Sequence, residues 1–240
     1  MLTERQIHLL QSIISEYIST AEPVGSVDVV KKYKFTCSPA TMRNEMAKLV
    51  SLGFLEMEHT SSGRVPTRNA FRYYIDELLE EIEMPVLQEV AFKQRMWPNR
   101  YAFAKMLREA VLALSDFTKL LALATSEDGY ITHAGAVNML DNKEFWDIDV
   151  TRTALMLLDN SELLDTVLKK AEFGEDVRFV IGEEIGLENL EKCAFAFTPY
   201  TAGERHGYIA VMGPSRMDYS HVVPAVRYTK GLIEELGGSW

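Results

Sequence analysis

The sequence is poor in the residues that build covalent or metal scaffolds. Only two of its 240 residues are cysteine. Cys37 and Cys193 stand far apart, outside any C-x-x-C or Cys/His cluster that would supply the four ligands of a tetrahedral zinc site. Two isolated thiols fit a reducing compartment rather than a disulfide framework. No stretch reaches the roughly eighteen consecutive apolar residues of a membrane span. The N-terminus passes from Met1-Leu-Thr-Glu-Arg5 straight into an amphipathic pattern, without the basic and apolar segments of a secretory leader. A cytoplasmic protein with no membrane partner is expected. Catalytic patterns are also missing. His133, His206 and His221 lack ligand spacing, and no Ser or Cys sits in a nucleophile elbow. Glu183 and Glu184, adjacent in sequence, do not face one site as general acid and base must. No catalytic residue, metal site or cofactor site is therefore expected.

What is present is a globular composition, 47% hydrophobic, with a net charge of -10. That charge is unevenly placed. Residues 1 to 80 carry nine basic and ten acidic residues, whereas the remainder carries sixteen basic and twenty-five acidic. The stretch from His59 to Ile75 holds Arg64, Arg68 and Arg72 and no acid. Phosphate contact depends on local potential, so an acidic chain retains a basic face at this end.

The first eighty residues read as helix, short helix, tight connection and third helix, followed by a hairpin. Thr3 and Gln6 have capping-box spacing, and Ile7, Leu10, Ile13, Ile14, Tyr17 and Ile18 recur on one face of a helix from about Glu4 to Thr20. The turn Ala21-Glu-Pro-Val-Gly25 ends it, and Ser26 opens a short helix bearing Val27, Val30 and Tyr33. Ser38-Pro39 places a capping hydroxyl before a proline at the first helical position, where a missing N–H costs nothing. The third helix then runs from Pro39 to about Leu52. It has an apolar side, Met42, Met46, Leu49 and Val50, and a polar one bearing Thr41, Arg43, Asn44 and Lys48. This is the order of a helix-turn-helix whose last helix enters the major groove. Arg reads guanine and Asn reads adenine bidentately, while Ser38, Thr41 and Lys48 suit phosphate.

After Gly53, residues 54–58 and 64–67 read as the two strands of a wing around His59-Thr-Ser-Ser-Gly63. Thr60, Ser61 and Gly63 would let donors approach the backbone of DNA, with Arg64 and Arg68 reaching phosphate or minor groove. Thr67 is expected both to contact DNA and to cap a fourth helix with the stripe Phe71, Tyr74, Ile75, Leu78, Leu79 and Ile82. Three-helix units with a hairpin also serve as protein-docking modules, which remains an alternative. Ser-Ser-Gly-Arg64 lacks the Gly-Lys-Ser/Thr ending of a P-loop.

The segments Glu22-Pro-Val-Gly-Ser26, Ser38-Pro-Ala-Thr-Met-Arg-Asn-Glu-Met46, His59-Thr-Ser-Ser-Gly-Arg-Val-Pro-Thr67, Phe71-Arg-Tyr-Tyr-Ile-Asp76 and Gly213-Pro-Ser-Arg-Met-Asp-Tyr219 together resemble the HrcA family of heat-inducible transcription repressors. The resemblance implies a winged-helix domain that binds CIRCE, an inverted-repeat operator upstream of chaperone genes, as a homodimer. It also implies a GAF-like C-terminal domain and modulation by the chaperonin GroEL. It puts Ser38, Thr41, Arg43 and Asn44 on the recognition helix and Thr60, Ser61, Gly63 and Arg64 on the wing. Family members are usually about a hundred residues longer, through an inserted dimerising segment that this chain lacks in large part.

Beyond residue 82, residues 83–100 carry Pro85 and Pro98 and read as a linker or partly helical connection. Residues 101–240 read as a regulatory or dimerisation domain. It holds a helix from Tyr101 to Phe117, strands at 120–124, 130–137, 177–181, 193–199 and 207–212, helices near 144–158 and 162–172, and a final helix from Met217 to about Leu236, kinked at Pro224 unless that residue falls in its first turns. An antiparallel sheet with flanking helices is the α+β class. Arg216 and Asp218 are expected to pair with each other or to order the turn before the last helix. A second functional alternative follows from this half, a winged-helix regulator that senses a small molecule through the GAF-like domain.

Overall fold

In the computed structural model, which describes residues 2–57, 63–170 and 176–238, the chain divides into two units, Met1–Glu80 and Glu81–Trp240. Helix caps set the frame of the first. The Thr3 hydroxyl accepts from the Gln6 amide at 3.3 Å, and the Gln6 side chain accepts from the Thr3 amide at 3.0 Å. This reciprocal box starts α1, Glu4–Thr20, which closes on Ala21 in the left-handed region. Helix α2 spans Ser26–Lys32 and α3 spans Pro39–Ser51, capped by Ser38 with Pro39 in the first turn. Leu9, Leu10, Ile13 and Ile14 of α1 meet Val29 of α2 and Met42, Met46 and Leu49 of α3 in the core. The buried stripe of α1 is turned from the expected one: Leu9 is fully buried, while Ile7, Tyr17 and Ile18 are only half covered.

The wing is short. Strand β1, Leu55–Glu56, pairs antiparallel with β2, Val65–Pro66. Helix α4, Arg68–Tyr73, follows and continues as one π-helical turn over Tyr74–Leu78. Phe71 and Tyr74 of the expected stripe are buried, Ile75, Leu78 and Leu79 are half buried, and the helix stops before Leu79, which is extended. Ile82 is exposed and belongs to the second unit.

The second unit is an antiparallel five-stranded sheet in the order β4-β3-β7-β6-β5. Its strands are β3 (Leu121–Thr125), β4 (Ile131–Ala134), β5 (Arg178–Ile181), β6 (Cys193–Ala202) and β7 (Arg205–Pro214). Helices cover both faces. On one, Leu121, Leu123, Phe195, Phe197 and Met212 pack beneath α7 (Ile148–Asp159) and α8 (Ser161–Leu168), through Ala154, Leu157, Leu164 and Val167. On the other, α6 (Phe103–Thr118) and α9 (Tyr219–Gly237) lie against the alternate residues of the strands. Ala122, Ala124, Ala194 and Ala196 are buried there, and small side chains let helices approach closely. Burial on both faces explains why β6 reads in sequence as a continuous apolar run rather than an alternation. With the winged helix, this antiparallel sheet and its helices make the fold α+β.

Two expectations are narrowed here. Residues 83–100 form the partly helical connection rather than a plain linker, for α5 (Val86–Met96) occupies most of them and buries Phe92 and Met96. Pro85 is its N-cap residue and Pro98 lies in the 3₁₀ turn after it, so the two prolines bracket a helix. Arg216 and Asp218 do not pair. Arg216 forms a two-point ion pair with Glu144, Nε to Oε1 at 2.7 Å and Nη2 to Oε2 at 3.0 Å, whereas Asp218 engages Ser220 and His221. Pro224 lies inside α9. Having no N–H, it leaves the Ser220 carbonyl free of its helical donor, and that oxygen accepts from the Ile82 amide at 3.0 Å.

Candidate nucleic-acid interface

Helical periodicity divides α3 into the two faces that its sequence suggests. Met42, Met46 and Leu49 are buried, while Ser38, Thr41, Arg43, Asn44 and Lys48 are all exposed. The Ser38 and Thr41 hydroxyls lie 3.0 Å apart, and the Thr41 amide donates to Ser38 at 3.1 Å. One of the two hydroxyls donates to the other, which leaves the second with its proton free for an incoming phosphate. Lys48 is partly engaged, because its ammonium donates to Glu45 at 3.0 Å.

Glu45 is the residue that the sequence reading missed. It sits on the apolar face of α3, with its side chain only 6% exposed, and gathers three donors: Arg5 at 3.2 Å, Gln6 at 3.1 Å and Lys48 at 3.0 Å. Gln6 also closes the α1 cap, so one buried carboxylate ties the start of α1 to the middle of α3. A signal was available, since an acid flanked by Met42, Met46 and Leu49 at helical spacing needs buried partners. The hydrogen bond from Lys48 holds its carboxyl below the ordinary carboxylate range against the opposing effect of burial, with Gln6 and the charges of Lys48 and Arg5 assisting. A folded-state pKa below the unfolded one means that this stabilisation is full above the ordinary carboxylate pKa. It is lost as pH falls through the lowered value. Glu45→Gln is therefore expected to cost about 1 to 2 kcal/mol at neutral pH and less in acid. Urea unfolding at pH 7 and below pH 4 checks this, and an equal cost at both would remove Glu45 from the account.

The base of the wing is fixed by backbone. Val24 and Arg64 exchange two main-chain hydrogen bonds, each 2.9 Å. A side chain on Gly63 would place its first carbon 2.5 Å from the Val24 carbonyl carbon, so only glycine lets the two segments meet. The bridge brings Arg64 beside α3, and Arg43 and Arg64 line one cleft of about 200 Å³ with Ser26 and Asp28 of α2. Thr67 is committed at both ends of its hydroxyl, donating to the Gly53 carbonyl at 2.7 Å and accepting from the Ala70 amide at 3.3 Å. It is a joint between wing and α4. Arg68 is exposed at the start of α4. Thr60 and Ser61 lie outside the described residues.

Among the described residues, the second unit offers no reactive group of comparable definition. Burial pushes the Cys193 thiol up to about 12, so it is protonated and inert. Among the described residues, no group of three His, Cys, Asp or Glu is placed to hold a metal ion, and no helix is long and apolar enough to cross a membrane.

Comparison with known proteins places this arrangement. Residues 69–223 match the family described as HrcA protein C terminal domain. The heat-inducible transcription repressor HrcA of Acetivibrio thermocellus is 27% identical over 336 residues, covering 98% of this chain and 96% of the relative. That of Carboxydothermus hydrogenoformans is 25% identical over 341 residues, covering 100% and 99%. Both alignments are much longer than the 240 residues available, so the relatives carry a block with no counterpart here. A solved structure described as a hypothetical protein shares the fold, with a TM-score of 0.82 at 21% identity, covering 100% of this chain and 99% of that one.

Proposed function

The chain belongs to the HrcA family and is a transcription repressor rather than an enzyme, and from that premise we propose that it binds an inverted-repeat operator of the CIRCE type as a homodimer. The observation that carries this reading is the exposed row on α3, with Arg43 sharing a cleft with Arg64 of the wing. Arg43 and Asn44 read base edges in the major groove, Ser38, Thr41 and Lys48 hold phosphates along the helix, and Gly63, Arg64 and Arg68 follow the adjacent backbone or minor groove. Thr60 and Ser61 extend that contact by their place in the sequence of the wing. Thr67 acts through the wing, holding its base to α4.

Two copies would present two α3 helices to half-sites about one helical turn apart, roughly 34 to 36 Å, or a multiple of it. The family relation further supports chaperone genes as the target and GroEL as the modulator, the chaperonin keeping the repressor active until unfolded protein draws it away. Spacing tests the paired arrangement. Inserting about five base pairs between the half-sites turns one of them to the opposite side of the duplex and is expected to weaken binding at least tenfold, while about ten restore much of it. Binding indifferent to a five-base-pair insertion would mean that each winged helix acts alone, and the dimeric reading would fall.

A further inference from the structure

A cavity of about 470 Å³ lies at one end of the sheet of the second unit, a size within the usual range for small-molecule sites. It is bounded by the turn from β3 to β4, by α8, and by the ends of β6 and β7. Its floor is backbone. A side chain at Gly207 would bring its first carbon to 1.9 Å from the Thr125 carbonyl oxygen and 2.7 Å from the Tyr200 hydroxyl, so that position admits glycine alone. The Tyr200 hydroxyl donates to that carbonyl at 2.6 Å, and the Tyr208 amide donates to the Thr125 hydroxyl at 3.1 Å. These bonds satisfy the polar groups of the floor and hold it in shape.

The walls define the ligand. Tyr130 and Tyr208 line the cavity and supply aromatic surface, whereas Tyr200, which also borders it, is buried with its ring against that of Phe103. Of the charged groups around it, Lys169 is paired with Asp165 at 2.5 Å. Glu127 and Glu162 also line it, and their carboxylates have no side-chain partner among the described residues. The local charge is therefore negative. Tyr200 registers that potential: burial raises the pKa of its hydroxyl, and the carboxylates of Asp128 and Glu127 raise it further against an opposing Arg205. An anion would be repelled by this site, and a neutral apolar molecule would leave both carboxylates unused. Tyrosine faces beside unpaired carboxylates attract an organic cation, whose charge interacts with ring and carboxylate together.

We propose that this cavity binds a small organic ammonium ion, seated against the rings of Tyr130 and Tyr208 with its charge between Glu127 and Glu162. The site lies within the second unit and uses no residue assigned to DNA contact, so it stands or falls independently of the repressor reading.

Calorimetric titration of the full chain with choline, beside its neutral isostere 3,3-dimethylbutan-1-ol, tests the proposal at about 0.15 M salt, where non-specific charge attraction is screened. Choline is expected to bind one to one, about tenfold or more tighter than the isostere. The double substitution Glu127→Gln with Glu162→Gln is expected to remove most of that preference. Because the protein is acidic overall, Glu83→Gln with Glu188→Gln serves as a control that removes the same charge elsewhere, and it should leave binding intact. Equal affinity for the two probes, an equal loss in the control, or no binding of choline, agmatine or spermidine up to about 10 mM would each overturn the proposal.

Discussion

Glu144→Ala is expected to destabilise the second unit by about 3 kcal/mol, a fall in melting temperature of roughly 6 to 12 °C. The reason is geometric. The Arg216 and Glu144 side chains are only 13% and 5% exposed and meet at two points, so removing the carboxylate takes from a poorly solvated guanidinium the acid that meets it in this two-point geometry. Asn142, whose side-chain oxygen accepts from Arg216 at 3.3 Å, does not replace a charge. Arg216 stands in the turn between β7 and α9, and Glu144 in the short helical segment before α7. The pair thus joins the layers on opposite faces of the sheet. Replacing both partners, Glu144→Leu with Arg216→Met, is expected to cost less than the single change, because the guanidinium is removed together with the carboxylate that it meets. Thermal and urea unfolding of both variants measure this. A single variant within about 0.5 kcal/mol of the parent would show the pair to be solvated and dispensable.

Arg43→Ala is expected to weaken operator binding by about 1 to 3 kcal/mol and to leave binding to random duplex nearly unchanged. Arg43 is exposed on α3, beside Asn44 and within the same cleft as Arg64, and among the described residues no buried hydrogen bond or ion pair uses its side chain. Its loss therefore tests recognition rather than folding. Arg68→Ala makes the informative comparison. A phosphate contact is lost equally from every sequence and reduces the dependence of binding on salt. An equal loss on operator and random DNA for Arg43→Ala would make it a phosphate contact too, and base reading would pass to Asn44.

Legibility in the sequence followed the range of the interactions involved. The limits of α3 were readable because Ser38, Pro39 and Gly53 act within one turn of the positions that they terminate. Its two faces were readable because helical periodicity is local as well. The role of Glu45 had a visible signal in its apolar neighbours, but its partners Arg5 and Gln6 come from another helix. Pro85 and Pro98 left linker and partly helical connection undecided because a proline marks a boundary without saying on which side the helix lies, and α5 fills the interval between them. Strands β6 and β7 each run further than expected, to Ala202 and from Arg205. Polar residues such as Thr201 resembled a turn, yet pair in register with His206. The Arg216–Glu144 pair spans 72 positions, and nothing local in either segment announces the other. The cavity in the second unit was equally hidden, since its walls come from the turn between β3 and β4, from α8 and from the ends of β6 and β7.

The account rests on sequence-specific DNA binding, and the direct measurement is titration of the purified protein onto a labelled CIRCE duplex beside a scrambled duplex, at about 0.15 M salt. Operator affinity about a thousandfold or more above that for the scramble is expected for a repressor that reads bases through α3. Equal, weak binding to the two duplexes would contradict the account.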